Sequence, residues 1–156
     1  MTALPKKWGR RTMDKALNYM ALARKAGRIE LGEEPVGAAA RAQKARLILV
    51  AEDASDHTWR RGCSFVAGTG QLCIRVPYSK DALGMAIGRQ SLAMAAFTDP
   101  ALALAFLKAL GRASDAEAIE SLQKRTQRVL QRQAEERAHQ RNKRLGKPRR
   151  SVKNKQ

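Results

Sequence analysis

Residues with the side chains for catalysis or metal binding are few and scattered in this sequence. Glu52 and Asp53 adjoin each other after an apolar run, where a carboxylate that caps the next helix accounts for Asp53 without any chemistry. His57, Cys63 and Cys73 lack the spacing of a metal site, and the two cysteines are typical of reduced thiols in a cytoplasmic protein. The sequence therefore predicts no catalytic centre, no metal site and no cofactor.

Positive charge is the strongest functional signal in the chain. The 156 residues carry a formal net charge of +17 at pH 7, and the pI is near 10.9. Excess basic charge points first to the phosphates of a nucleic acid and second to an anionic membrane surface. No apolar run approaches the roughly 20 residues that span a bilayer, and we expect no membrane partner. We also expect no small-molecule substrate.

The charge is concentrated at the end of the chain. Between Lys124 and Gln156 thirteen basic residues stand against two acidic ones, so this segment carries +11 of the total. So much charge exceeds what solubility requires, and we predict nonspecific contacts with a nucleic-acid backbone. The predicted phosphate contacts are Lys124, Arg125, Arg128, Arg132, Arg141, Lys143 and Arg144.

A second candidate site is the turn at Gly32, where a short strand passes into a helix. Helix N-terminal N–H groups attract phosphate, and glycine permits close backbone approach. Lys25 and Arg28 are expected beside this turn as part of an anion site, although solvated surface charge is the alternative. Glu33 and Glu34 either accept hydrogen bonds from base edges or only stabilise the helix dipole.

Apolar runs and capping residues predict an α/β fold, a three-layer α/β/α sandwich with a central mixed sheet of about four strands. Strands are predicted at Ile29–Leu31, Leu47–Ala51, Leu72–Val76 and Leu92–Phe97, with the second one central. Helices are predicted from Thr12 to Gly27, from Gly32 to about Gln43, from Asp53 or Ser55 to about Ala67, from Ser79 to Gly88, from Asp99 to Gly111, and from a capping box at Ser114. Gly68-Thr69-Gly70 lacks the lysine of a phosphate-binding loop and indicates a turn.

Four segments follow from these elements. We expect a basic N-terminal arm at 1–11, a folded domain at 12–112, an amphipathic to basic helix at 113–138, and a basic, disordered tail at 139–156. Disorder is expected from about Ala138 because the following residues bury too little apolar surface to offset their ordering entropy.

Several motifs together resemble the ribosomal protein L-seven-Ae superfamily (the L-thirty-e-like fold), most closely its bacterial YlxQ-like branch. These motifs are LARKAGR at 22–28, LGEE at 31–34, KARLILVAEDAS at 44–55, VPYSKDALGMAIG at 76–88 and AAFTDP at 95–100. The resemblance covers roughly Met13 to Leu110 in the family's order. It implies a sandwich that binds structured RNA, often a kink-turn, without catalysis.

The resemblance also implies where RNA binds. The family uses the N-terminus of the second helix and the loop before the last strand, which correspond here to Gly32, Glu33 and Glu34 and to Arg89, Gln90 and Ser91. The kink-turn signature has asparagine and glutamate where this chain has Glu34 and Pro35, and lysine where it has Ala38. Arg41, one turn further along, is a candidate for part of the missing phosphate contact.

Three functions therefore compete. The first is noncatalytic binding of structured RNA, such as ribosomal RNA or an RNA associated with the ribosome or its assembly. The second is a protein-interaction module that docks on a ribosomal or translation partner. The third is the substrate-binding part of an RNA-modifying enzyme, for which the sequence offers no nucleophile–base pair.

Overall fold

The computed structural model describes residues 14–146, and within them it confirms the α/β fold with a mixed sheet of four strands. The strands are β1 (Ile29–Leu31), β2 (Leu47–Val50), β3 (Leu72–Arg75) and β4 (Met94–Phe97). The α-helices are α1 (Lys15–Ala26), α2 (Glu33–Arg41), α3 (Asp56–Val66), α4 (Lys80–Ala86), α5 (Pro100–Leu110) and α6 (Ala116–Arg144), with a 3₁₀ turn at Ala113–Asp115.

The sheet has the order β1-β4-β2-β3, with β4 antiparallel to both of its neighbours and β2 parallel to β3. Strands β1, β2 and β3 therefore run in one direction and β4 runs in the other. All four residues of β2 are buried, which confirms its predicted central position. As a result, β1, β2 and β3 end at the same edge of the sheet at which β4 begins.

Helices cover both faces of the sheet. Helices α1 and α5 pack together on one face, α2 and α3 pack on the other, and α6 packs on α5. The core is built mainly from aliphatic side chains, with the rings of Phe97 and Phe106 in contact at 5.3 Å between centroids. Gly37 and Gly62 lie at helix surfaces that pack closely, where a Cβ would stand 3.0 Å from the Phe65 ring and 3.0 Å from Cys73 Sγ respectively.

The predicted cap Ser114 is wrong, and of the two candidates for the cap of α3 only Ser55 is confirmed. Ser114 does not open the last helix, because a 3₁₀ turn intervenes and α6 begins at Ala116 without a side-chain cap. Ser55 alone caps α3, whereas Asp53 Oδ1 accepts a hydrogen bond at 2.9 Å from the Lys80 N–H at the start of α4. Asp14 caps α1, and the predicted cap Thr12 lies outside the described residues.

The last helix is longer than predicted, since α6 continues to Arg144 instead of ending near Ala138. Its last turns are rich in Arg, Gln and Lys, which have good helix propensity. Adding one residue to an existing helix is also far less costly than nucleating one, and basic residues favour a helix C-terminus. The remaining part of the predicted tail and the N-terminal arm lie outside the described residues.

Candidate nucleic-acid interface

The two segments implied by the family resemblance leave the sheet at one edge. We call Gly32–Glu34 together with Arg89–Ser91 the Gly32 edge. Gly32 follows the end of β1, and its N–H donates to the carbonyl oxygen of Met94, the first residue of β4, at 2.9 Å. Ser91 precedes Met94 by only three residues, and the side chains of Arg89, Gln90 and Ser91 are all exposed. The fold thus brings both predicted segments to the same end of the sheet.

Gly32 has φ 98° and ψ 159°, a conformation that side-chain-bearing residues rarely adopt. It turns the chain directly from β1 into α2 without a side-chain cap. The first-turn N–H groups of Glu33 and Glu34 have no acceptor within the helix, and Pro35 has no N–H to satisfy. The start of α2 therefore presents backbone donors at this edge, while the two glutamates add negative charge beside them.

Glu33 is not a free acceptor, because its carboxylate forms a salt bridge with the Arg61 guanidinium from α3. Arg61 also lies over the ring of Phe65 at 5.4 Å. Both side chains of the ion pair are more than a third exposed, so its contribution to stability is small. It does, however, place a cation next to the start of α2. Pairing between distant elements gives no signal in the sequence, and Arg61 was not predicted.

Close packing on α4 fixes the loop at 89–91. A Cβ on Gly84 would stand 2.6 Å from Ser91 N and 2.9 Å from the Arg89 carbonyl oxygen. The Arg89 N–H donates to the Gly84 carbonyl oxygen at 2.8 Å, and the Leu92 N–H donates to that of Lys80 at 3.0 Å. Arg24 of α1 donates to the Ile87 carbonyl oxygen at the base of the loop. Gly84 and Arg24 are positioning residues that the sequence analysis did not identify.

Lys25 lies exposed in the last turn of α1. Arg28 and Arg41 do not join the Gly32 edge, so the expectation that Arg28 lies beside this turn is wrong. The Arg28 carbonyl oxygen accepts from the Thr98 N–H at the far end of β1, about 13 Å along the chain direction from Gly32. Arg41 ends α2, about 12 Å from its start, and its guanidinium lies against Gly37. Strand β1 carries the chain from Arg28 to the Gly32 edge, and α2 carries it back towards the opposite edge.

A cluster of arginines occupies that opposite edge. Arg46 precedes β2, and Arg125, Arg128 and Arg132 lie on α6; together with Val129 they line a concavity of about 190 Å³, which we call the Arg46 notch. The Arg125 guanidinium donates to the Gly70 carbonyl oxygen just before β3. Burial, followed by the charges of Arg46 and Arg128, lowers the pKa of Arg125. Arg125, Arg128 and Arg132 were predicted as phosphate contacts. They line the notch together with Arg46, which was not predicted.

Helix α6 continues beyond the notch. Arg112 donates to the Arg75 carbonyl oxygen at one end of β3, and Arg125 donates to that of Gly70 at the other, so α6 runs antiparallel alongside β3. From Arg125 to Arg144 the helix extends about 29 Å further. Nearly every residue from Gln131 onward is exposed. Arg141, Lys143 and Arg144 therefore lie far from the Gly32 edge, and Lys124 lines a groove beside Leu72 and Ile74.

Other reactive groups within residues 14–146 have structural explanations. Cys63 and Cys73 are free thiols, and burial followed by the neighbouring Cys63 raises the pKa of Cys73 to about 12. Burial and a hydrogen bond with Asp14 raise the pKa of Tyr78. The same residues contain no group of three or more side chains suited to hold a metal ion. No helix in this part of the chain is long and apolar enough to cross a bilayer.

Two solved structures share this fold. A protein of unknown function from Bacillus halodurans C superposes with a TM-score of 0.60 and 22% sequence identity, over 64% of this chain and 100% of the other. The Giardia lamblia 15.5kD RNA-binding protein superposes with a TM-score of 0.53 and 21% identity, over 68% of this chain and 85% of the other. No family model matches the chain, and neither does any curated protein. At these identities the likeness establishes the fold.

Proposed function

We propose that this protein binds structured RNA without catalysis, as a member of the ribosomal protein L-seven-Ae superfamily. The observation that carries the proposal is the meeting of Gly32–Glu34 and Arg89–Ser91 at one edge of the sheet. Backbone N–H groups, a guanidinium, an amide and a hydroxyl together offer donors for phosphates, sugars and splayed base edges. The fold shared with an RNA-binding protein and the net charge of +17 point in the same direction.

The RNA we propose is ribosomal RNA or an RNA associated with the ribosome or its assembly, in a cytoplasmic setting and in line with the YlxQ-like resemblance. The signature side chains of kink-turn recognition are absent, because Glu34 and Ala38 replace the asparagine and the lysine, so the proposal is structured RNA without specificity for a kink-turn. The arginine paired with Glu33, Arg61, supplies a cation at this edge in their absence. Backbone donors and the exposed loop then make the contacts that fix the RNA at the Gly32 edge.

The test compares two variants of the full chain that change the charge equally. Arg89→Glu alters the Gly32 edge, whereas Lys108→Glu alters an exposed residue of α5 that has no role in the proposed site. Fluorescence anisotropy with an RNA hairpin and with an unstructured RNA of the same composition should be measured over a salt series. We expect Arg89→Glu to bind the hairpin about tenfold more weakly and to reduce the preference over the unstructured RNA.

Equal losses in the two variants would mean that only net charge matters, and would contradict a site at the Gly32 edge. A chain that binds neither RNA, but retains a ribosomal protein after nuclease treatment and high salt, would instead support the protein-interaction alternative. Turnover of an RNA substrate that Asp53→Asn abolishes would overturn the noncatalytic assignment.

A further inference from the structure

A cluster of four arginines lies at the edge of the sheet opposite the Gly32 edge. Strands β1, β2 and β3 all end at the Gly32 edge, whereas Arg46 and Gly70 precede β2 and β3 at the other. A strand of four residues separates the two edges by about 13 Å before the flanking loops are added. An RNA segment held at Gly32–Glu34 and Arg89–Ser91 therefore has the whole sheet between it and the Arg46 notch.

The Arg46 notch has the features of a built anion site. Arg46 Nε is buried and has no hydrogen-bond partner among residues 14–146. The four arginines that line the concavity meet no carboxylate there. Burial, followed by the charges of Arg46 and Arg128, lowers the pKa of Arg125, because like charges held together and partly out of water are unfavourable. A phosphate between the guanidiniums would relieve the repulsion and satisfy their planar donors.

The wall of the notch is rigid. Gln71 is 5% exposed; its Oε1 accepts from the Ala45 N–H at 3.0 Å, and its Nε2 donates to the Ala40 carbonyl oxygen at 3.2 Å. These bonds tie the residue before Arg46 to the residue after Gly70. A Cβ on Gly70 would collide with the Arg125 guanidinium, so glycine is what allows Arg125 to reach the Gly70 carbonyl oxygen. The Gln71 hydrogen bonds and the Arg125–Gly70 hydrogen bond thus bring together Arg46 and Arg125, which come from two separate parts of the chain.

The extension of α6 indicates which kind of anion is bound. Beyond Leu130 the helix has no apolar face, and its exposed cations continue for about 21 Å to Arg144. A helix that lies on a membrane needs an apolar face to insert, which this part of α6 lacks. A line of cations leading away from a notch of arginines matches a long phosphate backbone.

We propose that the Arg46 notch binds the phosphates of a second RNA segment, so that one protein molecule holds two RNA segments at opposite edges of its sheet. The proposal rests on the proposed function, which assigns the first segment to the Gly32 edge. Arg125, Arg128 and Arg132 then share one defined phosphate site with Arg46. The protein would act as a bridge between RNA segments, in addition to binding one of them.

The experiment uses the full chain and two short RNA hairpins, one with a donor fluorophore and one with an acceptor. Energy transfer on addition of protein reports bridging, anisotropy of one labelled hairpin reports simple binding, and sedimentation gives the stoichiometry. Three variants are compared with the wild type: Arg125→Gln/Arg128→Gln, the charge-neutral Gly70→Ala, and the matched control Arg60→Gln/Lys108→Gln, which removes two exposed cations elsewhere.

We expect the wild type to give energy transfer with one protein and two hairpins in the complex. Losing two phosphate contacts weakens binding of the second hairpin about thirtyfold near physiological salt and lowers the logarithmic salt slope by about 1.8. Arg125→Gln/Arg128→Gln should therefore lose bridging but still bind one hairpin. Gly70→Ala should weaken bridging without any change in charge, because it displaces Arg125, and the control should retain it.

Each contrary result has a distinct meaning. A wild type that binds one hairpin but never two, or that bridges only as a protein dimer, would overturn the second site and leave the Gly32 edge intact. An equal loss of bridging in the control would overturn the placement of the second site at the notch. A wild type that binds no RNA at all would overturn the proposed function together with this inference.

Discussion

Gly84 offers a sharp test of whether the loop at 89–91 belongs to the RNA site, because one methyl group there acts on the loop alone. The Cβ of Gly84→Ala would stand 2.6 Å from Ser91 N, 2.8 Å from Ser91 Cα and 2.9 Å from the Arg89 carbonyl oxygen. All three are backbone atoms and have no rotamer by which to escape. To restore ordinary contact at about 3.4 Å, the loop must move by roughly 0.8 Å.

Two opposing free-energy terms decide the stability of this variant. Alanine is favoured over glycine within a helix by about 1 kcal/mol, and Gly84 lies inside α4. Overpacking of a tight contact costs about 1–3 kcal/mol. The variant should therefore lose at most about 2 kcal/mol of unfolding free energy and stay folded. The loop shift should nevertheless weaken hairpin binding about tenfold, because Arg89, Gln90 and Ser91 no longer face the RNA as before.

Urea denaturation and hairpin anisotropy on the same samples separate these two effects. Gly62→Ala is the matched control, since its Cβ would meet Cys73 Sγ at 3.0 Å, and a side chain can give way. The control should bind the hairpin as the wild type does. Wild-type affinity in a folded Gly84→Ala variant would refute the assignment of this loop to the RNA site.

Three further predictions concern the framework. Gln71→Leu should lower the unfolding free energy in urea by about 1–3 kcal/mol, because the Ala45 N–H loses its acceptor; an unchanged midpoint would contradict this role. Arg112→Gln should cost about 3 kcal/mol, because Asp115, 4% exposed, loses a bidentate partner at 2.9 and 3.1 Å, and Asp115→Asn added to it should restore part of the loss. Cys73 should resist alkylation at pH 8 until the protein unfolds, because its raised pKa keeps the folded thiol protonated below about pH 12; modification at the rate of a denatured control would disprove this.

The ionisation of Cys73 also links stability to pH. Its pKa is raised from 9.0 to about 12 in the folded state, so the protonated thiol makes its full contribution to the free energy of unfolding below pH 9. The contribution is lost as the pH rises from 9 towards 12, because only the unfolded chain ionises there. Unfolding by alkali should thus be less pronounced in Cys73→Ser than in the wild type.

Local signals in the sequence predict the elements well, because each strand and most caps are determined by neighbouring residues. The apolar run at 47–50, the glycines after α1 and α5, and the Asp99-Pro100 pair need no tertiary information. Ser114 and Asp53 both have the local chemistry of a cap, yet neither caps the helix that follows it. Asp53 instead accepts a hydrogen bond from the start of α4, a distant element. At Ser114 the cause is local, because Arg112 pairs with Asp115 three residues along the chain.

The arrangement of the candidate site was predicted only in part, because contacts between distant elements give no local signal in the sequence. The meeting of Gly32–Glu34 and Arg89–Ser91 follows from strand order once the family's fold is assumed. Arg28 was predicted beside Gly32 from its closeness in sequence, whereas β1 separates the two residues along the sheet. Arg46 and Arg125 lie 79 residues apart and meet only through the packing of α6 beside β3, which no sequence pattern reveals.

The most direct test of the account is a residue-by-residue map of amide chemical-shift changes in the full chain as an RNA hairpin is added. We expect the amides of Gly32–Glu34 and Arg89–Ser91 to shift at the lowest hairpin concentrations, and those of Arg46 and Gly70 to shift as a second hairpin binds. The decisive contrary result is a map in which the exposed part of α6 shifts while the amides of Gly32–Glu34 and Arg89–Ser91 stay unchanged. RNA would then be held by the cations of the helix alone.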